Sequence, residues 1–486
     1  MDNNKKLFIV FIFCLSAVLV FGFTAQKAIA FQAYTHSALT EKVDAMFKQW
    51  DSTDSPGAAL GIFKAGRIIY ARGYGIANLE YTLPWSSQNP SRIGSISKQF
   101  IAMCIAILAE QGKLSLDDNI RKFLPDWPEY NGPITIKHLL YHTSGVREYL
   151  TLVELMGKPE GSGYVYTPNE LVRTLSRQKE LNFKPGEIFS YSNSGYFLLS
   201  EIISRVSGMK TSAFAKKYIF SPLGMSNTHF HDDPNMIVKN RSYGYSPKKE
   251  GGFRLDILRL KVIGDLGVFT TIEDFLKWDQ NFYDNKLGKG TKNLINMMLT
   301  QGKLNSGEVL PYAFGLNISL YGGLRTISHG GSAVGYQAQY MQFPDQRFSI
   351  VIMSNLGNFN TGRIARKIAD LYLADQFLEP PTPRQRQRPQ RDRPEPIRLS
   401  SSQLQKYAGN YYSDELDIKY ILDVENNNLV LKLRETSSTL TPYSTESFGW
   451  GRRKLNFTRD REKRITGFVL QAGIVNNIKF QKLSKY

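Results

Sequence analysis

Residues 93–100 read Ile-Gly-Ser-Ile-Ser-Lys-Gln-Phe: a glycine and a serine, then a lysine three positions on, at the mouth of an apolar run. A helical turn takes about 3.6 residues, so Ser95 and Lys98 are expected on one face. A lysine buried beside a serine hydroxyl can shed its proton and serve as a base. The same pair also suits an ordinary helix start, with the serine near the cap and the lysine in water. The run that follows, Ile96 to Gly112, is apolar at most positions and closes on a glycine, which predicts a buried helix. Cys104 lies inside it and is expected to pack in the core.

Two further stretches bear on that pair. KPGEIFSYSNSGY (184–196) holds Tyr191, Ser192 and Asn193, and ISHGGSAVGY (327–336) holds His329, Gly330, Gly331 and Ser332. A serine, a lysine and a tyrosine followed by a glycine-rich strand have a chemical reading. The serine attacks a carbonyl, the lysine or tyrosine takes its proton, and strand N–H groups hold the oxyanion. Glycines let a backbone come close to the substrate.

With these motifs in order, roughly residues 38–376 resemble the serine β-lactamase and penicillin-binding superfamily, nearest the class C β-lactamase-like branch. The phrases TIKHLLYHTSGV (135–146), GKLSLDDNIRKFLP (112–125) and PLGMSNTHF (222–230) add to the likeness. The resemblance implies an α+β fold, an antiparallel sheet flanked by helices with an all-helical subdomain. It implies an acyl-enzyme on Ser95, with Lys98 keeping Ser95 and Tyr191 in reactive protonation states. Tyr191 is then the base of acylation and helps to activate water in deacylation. A phenol titrates near ~10, so this role requires positive neighbours or a shared proton. Asn193 matches a residue that bonds the lysine and the substrate amide, and the oxyanion donors would be the N–H groups of Ser95 and Ser332. His329-Gly330-Gly331 stands where many β-lactamases carry Lys-Thr-Gly. A histidine is charged only in part near neutrality, so recognition of a substrate carboxylate is weakened. GDLGVFTT (264–271) departs from relatives richer in small residues; Asp265 there could narrow or re-charge the cleft, and no role is assigned to it. Substrates implied are an ester, a D-amino-acid peptide or a β-lactam. No cofactor or metal is implied. His229 and His231 in THFHDD lack a further ligand at supporting spacing and are expected on a surface loop.

The whole chain has 486 residues, 42% of them hydrophobic, which predicts a globular protein of two domains or more. Its 61 basic against 43 acidic side chains give a formal charge of +18, suited to anionic surroundings such as cell-envelope polymers. Nucleic-acid binding is set aside, because neither finger spacing nor a basic region leading into heptads is present. Lys5 and Lys6, the apolar run Leu7–Phe23 and the small-x-small site Ala28-Ile29-Ala30 read as a secretory signal peptide over residues 1–30. The expected location is periplasmic or secreted, with an uncleaved membrane anchor as the alternative. AALGIFKAGRIIYARGYG (58–75) reads as a hairpin about Ala65-Gly66-Arg67, and strand-like runs return between 312 and 355. EPPTPRQRQRPQRDRPEP (379–396), within a linker expected over 379–398, is rich in Pro, Arg and Gln. Residues 400–486 alternate in short runs and read as a small antiparallel barrel or sandwich; by resemblance this is a lipocalin-like barrel. A rival of another class is a non-catalytic envelope protein that keeps the fold to bind peptidoglycan or a partner.

Overall fold

A computed structural model describes residues 38–159, 162–258, 261–381 and 395–484. The signal peptide and most of the expected linker lie outside the described residues. The hairpin forms as read, with β1 (Ala58–Lys64) and β2 (Arg67–Tyr74) joined by Ala65 and Gly66 at φ 48° and 82°. Two positive φ values in a row are what a tight hairpin turn needs to follow the strand twist.

Four strands from far along the chain complete the sheet: β3 (Asn317–Tyr321), β4 (Leu324–Ala333), β5 (Tyr336–Phe343) and β6 (Phe348–Ser354). The order is β3-β4-β5-β6-β1-β2, antiparallel throughout, and Gly61 of β1 lies opposite Val351 of β6. Every residue of β6 is buried, because the sheet is covered on both faces. Helices α1 (Ala38–Phe47) and α5 (Thr361–Tyr372) close one face around Phe47, Tyr74 and Ile352. The other face packs on the helical middle of the chain, where α2 (Lys98–Glu110), α3 (Asn193–Ser207) and α4 (Ile272–Asn281) share one apolar cluster. Lys98 through Leu108 of α2 are all buried, so this helix has no solvent face and its apolar run needs no 3.6-residue break. It ends before Gly112 at φ 70°, and α3 ends on Gly208 at φ 69°, left-handed terminations natural to glycine.

Between Gly409 and Lys482, eight antiparallel strands form a closed barrel. Closure comes from pairing of the first and last strands, Tyr411 with Lys482 and Tyr412 with Gln481, which decides for a barrel over a sandwich. Its core is aromatic: Tyr411, Tyr420, Phe457, Phe468 and Phe480 are buried, and the Phe468 and Phe480 rings stack at 4.6 Å. The barrel packs against the helical middle. Tyr420 donates to the Leu155 carbonyl at 2.7 Å, and Lys479 pairs with Glu180 at 2.6 Å.

Candidate active site

Ser95 sits in a short turn, Gly94–Ser97, wound at three residues per turn before α2 begins. In such a turn positions i and i+3 eclipse, so Ser95 and Lys98 stack one above the other. Gly94 holds φ 52° and packs on β4: a Cβ there would lie 2.6 Å from the Ser332 nitrogen. One residue earlier on the strand, a Cβ at Gly331 would lie 1.9 Å from the Ile93 carbonyl oxygen. Strand and turn are therefore in backbone contact, which brings the main chain of Ser332 beside that of Ser95. Ser97 fixes the turn from below, its hydroxyl accepting from the Val268 N–H at 3.0 Å.

Lys98 is wholly buried. Its ammonium donates to Ser95 Oγ at 3.0 Å, to Asn193 Oδ1 at 2.7 Å and to the Asp265 carbonyl at 2.9 Å. A lysine has three donors, and all three are used. The Tyr191 ring lies 4.9 Å from Nζ, and its phenol oxygen is buried without a hydrogen-bond partner among the described residues. Asn193 opens α3, and Glu148 holds it from outside the helix. Glu148 Oε2 accepts from the Asn193 N–H at 2.6 Å and from Ser192 Oγ at 2.9 Å, while Oε1 accepts from Asn193 Nδ2 at 3.1 Å. The carboxylate meets a free N–H at a helix start, where negative charge is favoured.

His329 lies on β4, buried, with Nδ1 2.6 Å from the Gly330 carbonyl and Nε2 3.0 Å from the Tyr312 hydroxyl. Burial, and then Lys98, push its pKa down to about 4, so the ring is neutral at pH 7, donating from Nδ1 and accepting at Nε2. The His142 ring packs against that of Tyr191, centroids 4.2 Å apart and tilted by 37°, and its Nδ1 accepts from the Ser192 N–H at 3.2 Å. Burial and Lys98 also hold it well below its ordinary value, and its backbone takes a φ of 58°.

The structure thus brings Ser95, Lys98, Tyr191, Asn193, His329, Gly331 and Ser332 to one place from three distant segments. Three participants were not assigned from sequence. Glu148 follows a quoted phrase by two residues, yet its contact with Asn193 spans 45 positions. Tyr312 had no signal beyond its strand-like run. Asp265 was flagged without a role: its side chain is fully buried and accepts from Tyr149 at 3.0 Å, and its main-chain carbonyl accepts from Lys98. Burial, against the pull of Lys98, raises its carboxyl to about 6. The surface loop expected around His229 and His231 is also corrected. His229–Phe230 forms a short strand paired with Val268–Thr270, and His229 Nε2 lies 3.3 Å from His231 Nδ1. Burial and Arg92 hold them at about 4 and about 3. Among the described residues no group of three or more His, Cys, Asp or Glu side chains is placed to hold a metal.

Fold and site together define a protein of the β-lactamase and transpeptidase-like serine hydrolase class. A family model described as Beta-lactamase matches residues 43–375, well over half of the chain, and the chain belongs to that family. The D-aminopeptidase of Gluconobacter oxydans (strain 621H) is 27% identical over 300 residues, 62% of this chain and 56% of that protein. The D-aminopeptidase of Brucella canis (strain ATCC 23365 / NCTC 10854 / RM-666) is 28% identical over 302 residues, with the same shares of 62% and 56%. The chain spans little more than half the length of these curated relatives. The octameric penicillin-binding protein homologue from Pyrococcus abyssi superposes with a TM-score of 0.61 at 24% identity, covering 91% of this chain and 99% of its own. D-amino acid amidase from Ochrobactrum anthropi SV3 superposes with a TM-score of 0.58 at 22% identity, covering 70% and 98%. At these identities the structural likeness is one of fold.

Proposed function

We propose that this chain is an exported hydrolase that cleaves amides, short peptides or esters of D-amino acids through an acyl-enzyme on Ser95. The observation that carries the reading is the buried Lys98 ammonium held between Ser95 Oγ and Asn193 Oδ1, with the unpartnered Tyr191 phenol beside it. Lys98 donates in all three of its bonds, which leaves Tyr191 as the group that takes the Ser95 proton. Ser95 Oγ bonds to the substrate carbonyl carbon, and the N–H groups of Ser95 and Ser332 hold the resulting oxyanion. Collapse breaks the C–N or C–O bond, and Tyr191 passes the proton to the leaving amine or alcohol. Water then attacks the acyl carbon, losing a proton to Tyr191; the bond from that carbon to Ser95 Oγ breaks as Tyr191 returns the proton to Oγ, releasing the acid and free Ser95.

The relatives named D-aminopeptidase favour D-amino-acid substrates. Neutral His329, its Nε2 occupied by Tyr312, favours substrates without a carboxylate at that position and places β-lactams last. Residues 1–30 support export, and the +18 charge supports contact with anionic envelope polymers. The test is turnover of D-amino-acid p-nitroanilides, a short p-nitrophenyl ester and a chromogenic cephalosporin by wild type and Ser95→Ala. Ser95-dependent release that is fastest on the D-anilide or ester, with an acyl adduct on Ser95 by intact mass, is the expected result. Equal rates in Ser95→Ala, or no release from any substrate, would overturn it. Export is checked separately by cell fractionation and by N-terminal sequencing of the recovered protein.

A further inference from the structure

Arg147 and Glu148 are neighbours that reach in opposite directions. Glu148 faces Asn193, whereas Arg147 is fully buried against the barrel. Its Nη1 donates to Glu415 Oε1 at 2.5 Å and to Gln178 Oε1 at 2.9 Å, and Nη2 donates to the Asn477 carbonyl at 3.2 Å. Glu415 is buried too and also accepts from the Lys179 N–H at 2.9 Å. The same short segment is stapled to the start of α3: Ser194 Oγ donates to the Arg147 carbonyl at 2.7 Å and accepts from the Tyr149 N–H at 2.7 Å. A barrel carboxylate therefore fixes Arg147, and Arg147 fixes the place of Glu148.

We propose that Glu148 is a positioning residue that holds the Asn193 amide with its oxygen toward Lys98. The C-terminal barrel keeps Glu148 in place through Glu415 and Arg147, and so forms part of the catalytic apparatus. This rests on the role given above to Ser95 and Lys98. Three donors converge on Glu148: Ser192 Oγ, the Asn193 N–H and Asn193 Nδ2. Only a group that accepts on both oxygens satisfies them all. A glutamine has one oxygen. If that oxygen keeps the Asn193 N–H and Ser192, its amide nitrogen faces Asn193 Nδ2. Asn193 then turns over and presents N–H groups to the Lys98 ammonium. Lys98 loses its shortest bond and its aim at Ser95.

The test uses the full chain and compares kcat and KM of wild type, Glu148→Gln, Glu148→Asp, Glu415→Gln and the double variant. Rates are taken per folded molecule, counted by size-exclusion chromatography and circular dichroism. Glu148→Gln is expected to lower kcat ~10–100-fold with KM changed less than ~3-fold, the size of effect that misplacing a catalytic group gives. Glu148→Asp, which keeps two accepting oxygens, recovers part of the loss. Glu415→Gln lowers kcat several-fold, and the double variant is no slower than Glu148→Gln alone, because both act through one chain of contacts. A kcat for folded Glu148→Gln within 2-fold of wild type, while Ser95→Ala is silent, would overturn this inference and leave the proposed function standing. Additive losses from Glu148 and Glu415 would remove the barrel from it. Full activity in Ser95→Ala would instead bring down the reading on which it rests. If Glu148→Gln fails to fold, Glu415→Gln carries the decision by the same kcat criterion.

Discussion

Two adjacent glycines on β4 are expected to behave quite differently when given a methyl group. At Gly331 a Cβ would lie 1.9 Å from the Ile93 carbonyl oxygen, against the 3.4 Å or more of ordinary contact. The obstacle is backbone in a close-packed interior, so strand and turn must part by roughly 1.5 Å to restore ordinary contact. That displacement falls between Ser332 and Ser95, whose N–H groups are the proposed oxyanion donors. Misplacing such a donor by this much costs ~10²–10³ in kcat, since the anion gains from donors only at close range. The overpacking itself costs about 1–3 kcal/mol of stability. At Gly330 the nearest atom a Cβ would meet is Gln339 Oε1 at 3.5 Å, an ordinary contact with a side chain. Gly330→Ala is thus expected to keep kcat within ~3-fold, as surface substitutions away from special features do. The assay is steady-state hydrolysis of a p-nitrophenyl ester by both variants, on protein shown to be folded by circular dichroism. Equal kcat values for folded Gly331→Ala and Gly330→Ala would refute the placement of the oxyanion site between β4 and the Ser95 turn.

Asp279 is buried and accepts from Tyr340, Gln342 and Ser349, and burial raises its carboxyl from 3.8 to about 6. A folded pKa above the unfolded one gives stability that is present below about pH 4 and lost as pH rises through 6. Two units correspond to ~3 kcal/mol. Urea unfolding should therefore show the stability of Asp279→Asn relative to wild type rising by ~3 kcal/mol between about pH 4 and 7; a constant difference would contradict it. His329 stays neutral down to about 4, so His329→Gln should lower the rate without changing the shape of the pH–rate profile above about pH 5. An acid limb that moves in that variant would mean His329 titrates in the working range. Cys104 is buried and its thiol is pushed up by burial, so an aromatic disulfide reagent should label it only after denaturant is added. Labelling of the native protein at the rate of a free thiol would show that α2 opens.

Much of the site was legible because its chemistry lies in side chains with a spacing. Ser95 and Lys98 are one turn apart, and Tyr191 and Asn193 flank the start of α3. What stayed hidden has no side-chain signature. The third acceptor of Lys98 is a main-chain carbonyl, which any residue at position 265 would supply. Gly331 could be read as a glycine near substrate, but its closest demand comes from the Ile93 carbonyl, 238 positions earlier. The histidine pair was misplaced because THFHDD is polar and reads as a loop, whereas pairing of His229 with Phe269 turns it inward. In the barrel, KYILDVE and NLVLKLR alternate openly, but TSSTLTP (436–442) is a strand that Ser, Thr and Pro disguise. It exists because Leu440 lies opposite Leu429 on the neighbouring strand, a cross-strand pairing that outweighs local preference.

Glu148 shows the same limit at the point where function depends on it. Read along the chain, it is one acidic residue after an arginine, as expected of a solvated pair at the start of a helix. Both are buried, and each meets its charge in a different domain: Arg147 at Glu415, 268 positions on, and Glu148 through Asn193 at Lys98. Buried charges are costly unless paired and fully bonded, so neither residue is a neutral choice of surface. Removing Glu415 would strand the Arg147 cation and removing Glu148 would free the Asn193 amide. The barrel and the Ser95 site are therefore linked through two adjacent residues of one loop.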